Sequence, residues 1–71
     1  MSNEDISTKF ANRLKQLREE KNLSQEQLAL LCGLDRTYIG RIERLERKPS
    51  LVAVEKIANG LNMHILELLN M

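Results

Sequence analysis

The residues best suited to chemistry are cations and donors crowded into one short stretch: Arg36, Thr37, Tyr38, Arg41, Arg44, Arg47 and Lys48. Residues 25–44, Gln-Glu-Gln-Leu-Ala-Leu-Leu-Cys-Gly-Leu-Asp-Arg-Thr-Tyr-Ile-Gly-Arg-Ile-Glu-Arg, read as a helix, a tight turn at Gly33 and a second helix. On that reading Arg36, Thr37 and Arg41 share one solvent face. A guanidinium can bond bidentately to guanine O6 and N7, worth roughly 1–3 kcal/mol of discrimination. A threonine can donate to a phosphate or touch a thymine methyl. As a merely solvated residue, Arg36 would sit poorly at the positive end of the helix dipole. Arg44, Arg47 and Lys48 suit backbone phosphates, and Arg47 could also enter a minor groove; an ordinary solvated loop competes with that reading. Tyr38 can pack its ring beside the preceding helix while its hydroxyl reaches the backbone, so packing and DNA contact both stand. The chemistry on offer is the reading of a duplex.

Net charge is +1, but its distribution is uneven. Residues 36–48 carry five basic and two acidic residues, net +3, and the remainder is net −2. Positive charge gathered around one helix is the footprint of a nucleic-acid partner. Enzymatic chemistry finds no support. The carboxylates are scattered, no nucleophile stands beside a base, and no glycine loop could cradle a phosphate. His64 has no second ligand nearby, and the single cysteine, Cys32, lies in an apolar run with Leu28, Ala29 and Leu31, so neither a metal nor a cofactor is expected. No apolar stretch matches a signal peptide or a membrane span, which implies a cytoplasmic protein with no membrane partner.

The elements that must position these groups are all helical. Residues 1–7 read as a flexible arm, and residues 8–71 as one domain. Helix 1 is expected from Thr8, with Phe10, Leu14 and Leu17 as its apolar stripe, ending at Asn22. Ser24 and Gln27 form a capping box for helix 2, which runs to about Cys32. Asp35 is the expected N-cap of helix 3, with Leu34, Ile39 and Ile42 turned inward. Ser50 caps helix 4, whose stripe is Leu51, Val54, Ile57, Ala58 and Leu61; a short helix 5 covers roughly His64 to Asn70. The result is an all-α bundle of five short helices. Seventy-one residues are near the lower limit for a self-sufficient core. Met63, Ile65, Leu66, Leu68, Leu69 and Met71 wrap more than one face of helix 5, so Met63, Ile65, Leu66 and Leu69 are expected in a homodimer interface.

The run Leu23-Ser24-Gln25, small Ala29, the turn at Gly33 and the buried set Leu28, Cys32, Leu34, Ile39 and Ile42 resemble the Xre family of Cro/C1-type helix-turn-helix regulators, over about residues 8–70. That resemblance implies a lambda-repressor-like DNA-binding domain. Leu34-Asp35-Arg36-Thr37-Tyr38-Ile39, then Ile42-Glu43-Arg44 and Glu46-Arg47-Lys48-Pro49-Ser50-Leu51, is similar more narrowly to restriction–modification controller proteins. Those are small dimers that bind operator repeats, implying double-stranded DNA and a second copy as partners. Gly40-Arg41 departs from the Ser-Gly that controllers often carry, and His64 replaces a helix-capping serine. The resemblance further implies that Gln25 clamps a phosphate, that Arg36 reads a base, and that Arg18 and Glu43 form a partly buried ion pair. It also implies an RNA polymerase contact at Glu26, where similar phage repressors carry an activating acid; the alternative is an acid that complements the helix dipole. A generic Xre-type repressor, an antitoxin whose main partner is a protein, and the DNA-targeting domain of an enzyme are the competing classes. Weak DNA binding would mark the antitoxin.

Overall fold

The computed structural model describes residues 5–71. Five α-helices follow one another: α1 (Ile6–Glu20), α2 (Gln25–Leu31), α3 (Tyr38–Glu43), α4 (Leu51–Gly60) and α5 (Ile65–Leu68). Leu14, Leu28, Ile39, Ile42, Ile57, Leu61 and Leu68 are fully buried at the centre, and every helix supplies at least one of them. The stripe Phe10, Leu14, Leu17 turns inward as its spacing requires.

Local chemistry sets most boundaries. Ser24 and Gln27 close the reciprocal capping box that opens α2, and Ser50 accepts from Ala53 N to open α4. Asn22 (φ 57), Gly33 (φ 68), Leu45 (φ 62) and Asn62 (φ 56) reverse the chain in the left-handed region behind α1, α2, α3 and α4. Gly60 is required for a different reason: a Cβ there would collide with Cys32 Sγ and stand 3.1 Å from the Cys32 Cα. The end of α4 therefore lies directly on the end of α2. Burial in that contact pushes the Cys32 thiol up to about 11, as expected of a small buried hydrophobe.

Several boundaries differ from the sequence reading. The chain is helical from Ile6, because the Asp5 carboxylate accepts from Thr8 N at 2.9 Å and caps α1. Residues 5–7 are thus no arm, and residues 1–4 lie outside the described residues. Asp35 does not cap α3 in the usual way. Its Oδ1 accepts from Thr37 N at 2.9 Å and from the Thr37 hydroxyl, which makes a turn and delays the helix to Tyr38. Leu51 is 84% exposed, since it opens α4 beyond the edge of the core, and Ala53 is buried instead. Helix α5 is only Ile65–Leu68, and His64 caps it in place of a serine, with Nδ1 accepting from Leu66 N at 3.0 Å.

Candidate DNA interface

The site is built on a knot of three helices. Glu43 ends α3, and its carboxylate accepts from Arg18 Nε at 2.8 Å, Arg18 Nη2 at 3.0 Å and Gln25 Nε2 at 3.0 Å. Arg18 reaches from α1, Gln25 opens α2, and Arg18 Nη1 also donates to Leu23 O at 2.8 Å. The side chains of Arg18 and Glu43 are 12% and 4% exposed. Hydrogen bonds to Glu43 hold the Arg18 guanidinium above its ordinary value. The knot fixes the angle at which α3 leaves the bundle.

Gly40 makes room for part of that arrangement. A Cβ there would stand 2.7 Å from Gln25 Oε1 and 2.9 Å from Arg44 Nη1, so both side chains lie against the bare backbone of α3. A side chain at position 40 would displace Gln25 and Arg44 from these places.

Outside the knot, the cations face solvent. Thr37, Tyr38, Arg41 and Arg47 line one shallow depression with Asp35. Arg47 also borders a second depression with Lys48, Leu45 and the start of α1. The Arg47 guanidinium lies 5.2 Å from the centroid of the Tyr38 ring, and Tyr38 is half-buried against the core. Arg44 Nε is 3.1 Å from Glu46 Oε2, and that bond holds the Glu46 carboxyl below its usual range. Arg36 stands in the turn before α3, apart from the Thr37–Arg41 depression, with Nη1 3.9 Å from Glu26 Oε2 on α2. The carboxyl of Asp35 is likewise held low by its bonds from Thr37.

Two positioning contacts escaped sequence reasoning. Arg13 of α1 donates to Glu67 O at 2.8 Å and Leu68 O at 3.3 Å, tying α5 to α1 across the molecule. A cation one turn from the apolar stripe was the only available signal. Glu46 as partner of Arg44 was readable only as a nearby opposite charge. Among the described residues, no group of three or more His, Cys, Asp or Glu side chains could hold a metal.

A short helix, a glycine turn and a second helix presenting guanidinium groups, braced by a buried ion pair, define a helix-turn-helix DNA-binding domain. Comparison with known proteins agrees. The helix-turn-helix family HTH_3 matches residues 14–68, and the chain belongs to that family. The control protein C.MunI of a Mycoplasma species is 51% identical over 65 residues, covering 90% of this chain and 88% of that one. The crystal structure of the restriction-modification controller protein C.AhdI from Aeromonas hydrophila superposes with a TM-score of 0.82 at 50% identity, covering 87% of this chain and 94% of that one. A tyrosine-to-phenylalanine mutant of C.Esp1396I, bound to its highest affinity operator site, superposes at 0.81 with 36% identity, covering 90% and 88%. Within its family the chain belongs with the restriction–modification controllers, which are DNA-binding transcriptional regulators.

Proposed function

We propose that the chain controls transcription of restriction–modification genes by binding operator DNA as a two-fold dimer. The turn before α3 and its exposed side enter the major groove, where Arg36, Thr37 and Arg41 meet base edges or the phosphates beside them. Gln25, Arg44 and Lys48 contact phosphates, while Tyr38 and Arg47 flank the groove. The observation that carries this reading is the convergence of Thr37, Tyr38, Arg41 and Arg47 on one surface, formed by α3 and the segments that flank it, with the orientation of α3 set by the Glu43 knot. On this reading the chain acts as a DNA-binding regulator rather than as an enzyme, and it works in the cytoplasm. Among the described residues no helix is long and apolar enough to cross a membrane. Selection from a random-sequence duplex pool tests the reading. Arg36→Ala should lose preference at one position per half-site, whereas Lys48→Ala should weaken all sequences and lower the salt slope by about one. Unchanged preference in Arg36→Ala refutes the base-reading role.

The dimer is argued from exposed apolar surface. Leu66 is 71% exposed and Leu69 39% exposed. Met63 and Ile65 are half-buried against the chain's own core, so only their outer parts can contribute. Leu69 also borders an apolar groove with Ile6, Phe10, Leu51, Val54 and Met71. A monomer this small gains from covering such a surface with a second copy. Two copies of α3 would then read half-sites about 34–36 Å apart. Sedimentation should show a dimer, and Leu66→Glu a folded monomer with poor operator affinity; a wild-type monomer that grips one half-site tightly refutes it. Glu26 is the proposed contact for RNA polymerase, exposed on α2 beside Arg36. Normal activation by a Glu26→Gln protein that binds DNA normally rejects that contact.

A further inference from the structure

We propose that Tyr38 is a positioning residue whose ring fixes the Arg47 guanidinium, so that α3 and the loop behind it engage a duplex as one unit. The inference rests on the DNA-binding reading and goes beyond it, because neither residue then acts alone.

Arg47 lies between α3 and α4, where no helical ladder restrains the chain. Its backbone is restrained another way. Leu45 reverses the chain at φ 62, and the amides of Glu46 and Arg47 both donate to Arg41 O, at 2.8 and 3.3 Å. The loop is thereby folded back onto α3. Its side chain is then held by the ring: 5.2 Å to the centroid is inside the reach of about 6 Å for a cation–π contact. The anchor cannot drift, because Tyr38 is the first residue of α3 and packs against the core.

The kind of partner matters. Arg36 and Arg44 each face a carboxylate, Glu26 and Glu46, which competes with a phosphate for the same N–H donors. A ring face attracts the guanidinium without accepting its N–H bonds in the guanidinium plane, so those donors remain free for a duplex. The side chain gives up rotamer freedom when the protein folds, and less is lost on binding. Arg47 borders both the Thr37–Arg41 depression and the Lys48 depression, so fixing it joins the two surfaces.

A binding cycle with Tyr38→Leu, Arg47→Ala and the double variant tests this, with Tyr38→Phe as the conservative rescue. The probe is a duplex that the wild-type protein enriches from a random pool. Tyr38→Leu and Arg47→Ala should each weaken binding by about two- to thirtyfold, the span of a cation–π contact. The double variant should be no weaker than the worse single one, and Tyr38→Phe should restore most of the affinity that Tyr38→Leu loses. In the free protein, the Arg47 δ-methylene protons should show a ring-current shift that Tyr38→Phe keeps and Tyr38→Leu loses. Additive losses, a Tyr38→Phe defect as large as that of Tyr38→Leu, or no ring-current shift in the wild type would each overturn the proposal. Should Tyr38→Leu fail to fold, the wild-type shift and the Tyr38→Phe affinity still decide it. Failure of the wild type to enrich any duplex would refute the DNA-binding reading itself, a result distinct from intact binding without coupling.

Discussion

Replacing Glu43 with alanine should remove a large share of the stability of this domain. The substitution deletes the acceptor of Arg18 Nε at 2.8 Å, Arg18 Nη2 at 3.0 Å and Gln25 Nε2 at 3.0 Å. Arg18 is left with Leu23 O at 2.8 Å, and at 12% side-chain exposure water reaches its charge poorly. Breaking a buried pair from one side costs about 3–5 kcal/mol, against about 0–1 for an exposed pair. A chain of 71 residues at typical stability holds roughly 4–11 kcal/mol. A domain at the lower end of that range, up to about 5 kcal/mol, would not survive the loss. The assay is urea denaturation of Arg18→Met, Glu43→Leu and the double variant. Coupling of about 3 kcal/mol or more is expected, with the double variant more stable than either single one, because an apolar replacement leaves no stranded charge. The double variant also separates scaffold from function. It should fold yet bind DNA poorly, since Gln25 has lost its tether to α3. Coupling within the exposed range of about 0–1 kcal/mol would refute the reasoning.

Three further outcomes follow from the packing. Gly60→Ala should destabilise by about 1–3 kcal/mol, because the new Cβ collides with the buried Cys32 Sγ and crowds the Cys32 backbone; an unchanged melting temperature would show that α4 can slide away. His64→Ser should keep the α5 cap and His64→Ala should cost about 0.5–2 kcal/mol; equal melting curves for the two would deny the cap. Asp35 has a depressed carboxyl in the folded state, so its contribution is complete above the ordinary value of 3.8 and is lost as pH falls through the folded value. Asp35→Asn should flatten the acid limb of the stability curve, and an acid limb identical to wild type would remove Asp35 from its causes.

The helix pattern was legible wherever the cause of a boundary is local. Ser24 with Gln27, Ser50 and Gly33 act through bonds or backbone freedom within three residues, so their spacing predicts them. Asp35 shows the limit of that logic. An aspartate at such a position can close a turn with the residues just beyond it, as Asp35 does with Thr37, or cap a helix; the sequence looks alike in both cases. Asp5 was legible as a cap in principle, but its polar neighbours resemble a frayed end. Leu51 belongs to the stripe of α4 by period, yet it is exposed because the helix begins beyond the core it packs on. Arg13 lies 55 residues from its Leu68 acceptor, and no local spacing encodes such a contact.

The candidate site shows why residue type alone could not separate scaffold from contact. Among the described residues arginine pairs with glutamate three times, and burial separates the pairs into two roles. Arg18 and Glu43, at 12% and 4% exposure, form a pair that water and phosphate cannot replace, and it serves to hold helices. Arg36 with Glu26, at 74% and 66%, and Arg44 with Glu46, at 53% and 54%, are exposed enough to exchange partners at a cost of about 0–1 kcal/mol. A duplex can recover that cost by releasing the counterions condensed on its phosphates. The exposed pairs therefore keep the free surface near neutrality without closing it to DNA. That is how a chain with a net charge of only +1 can present a cationic reading face. The two kinds of pair differ only in what the rest of the fold places around them.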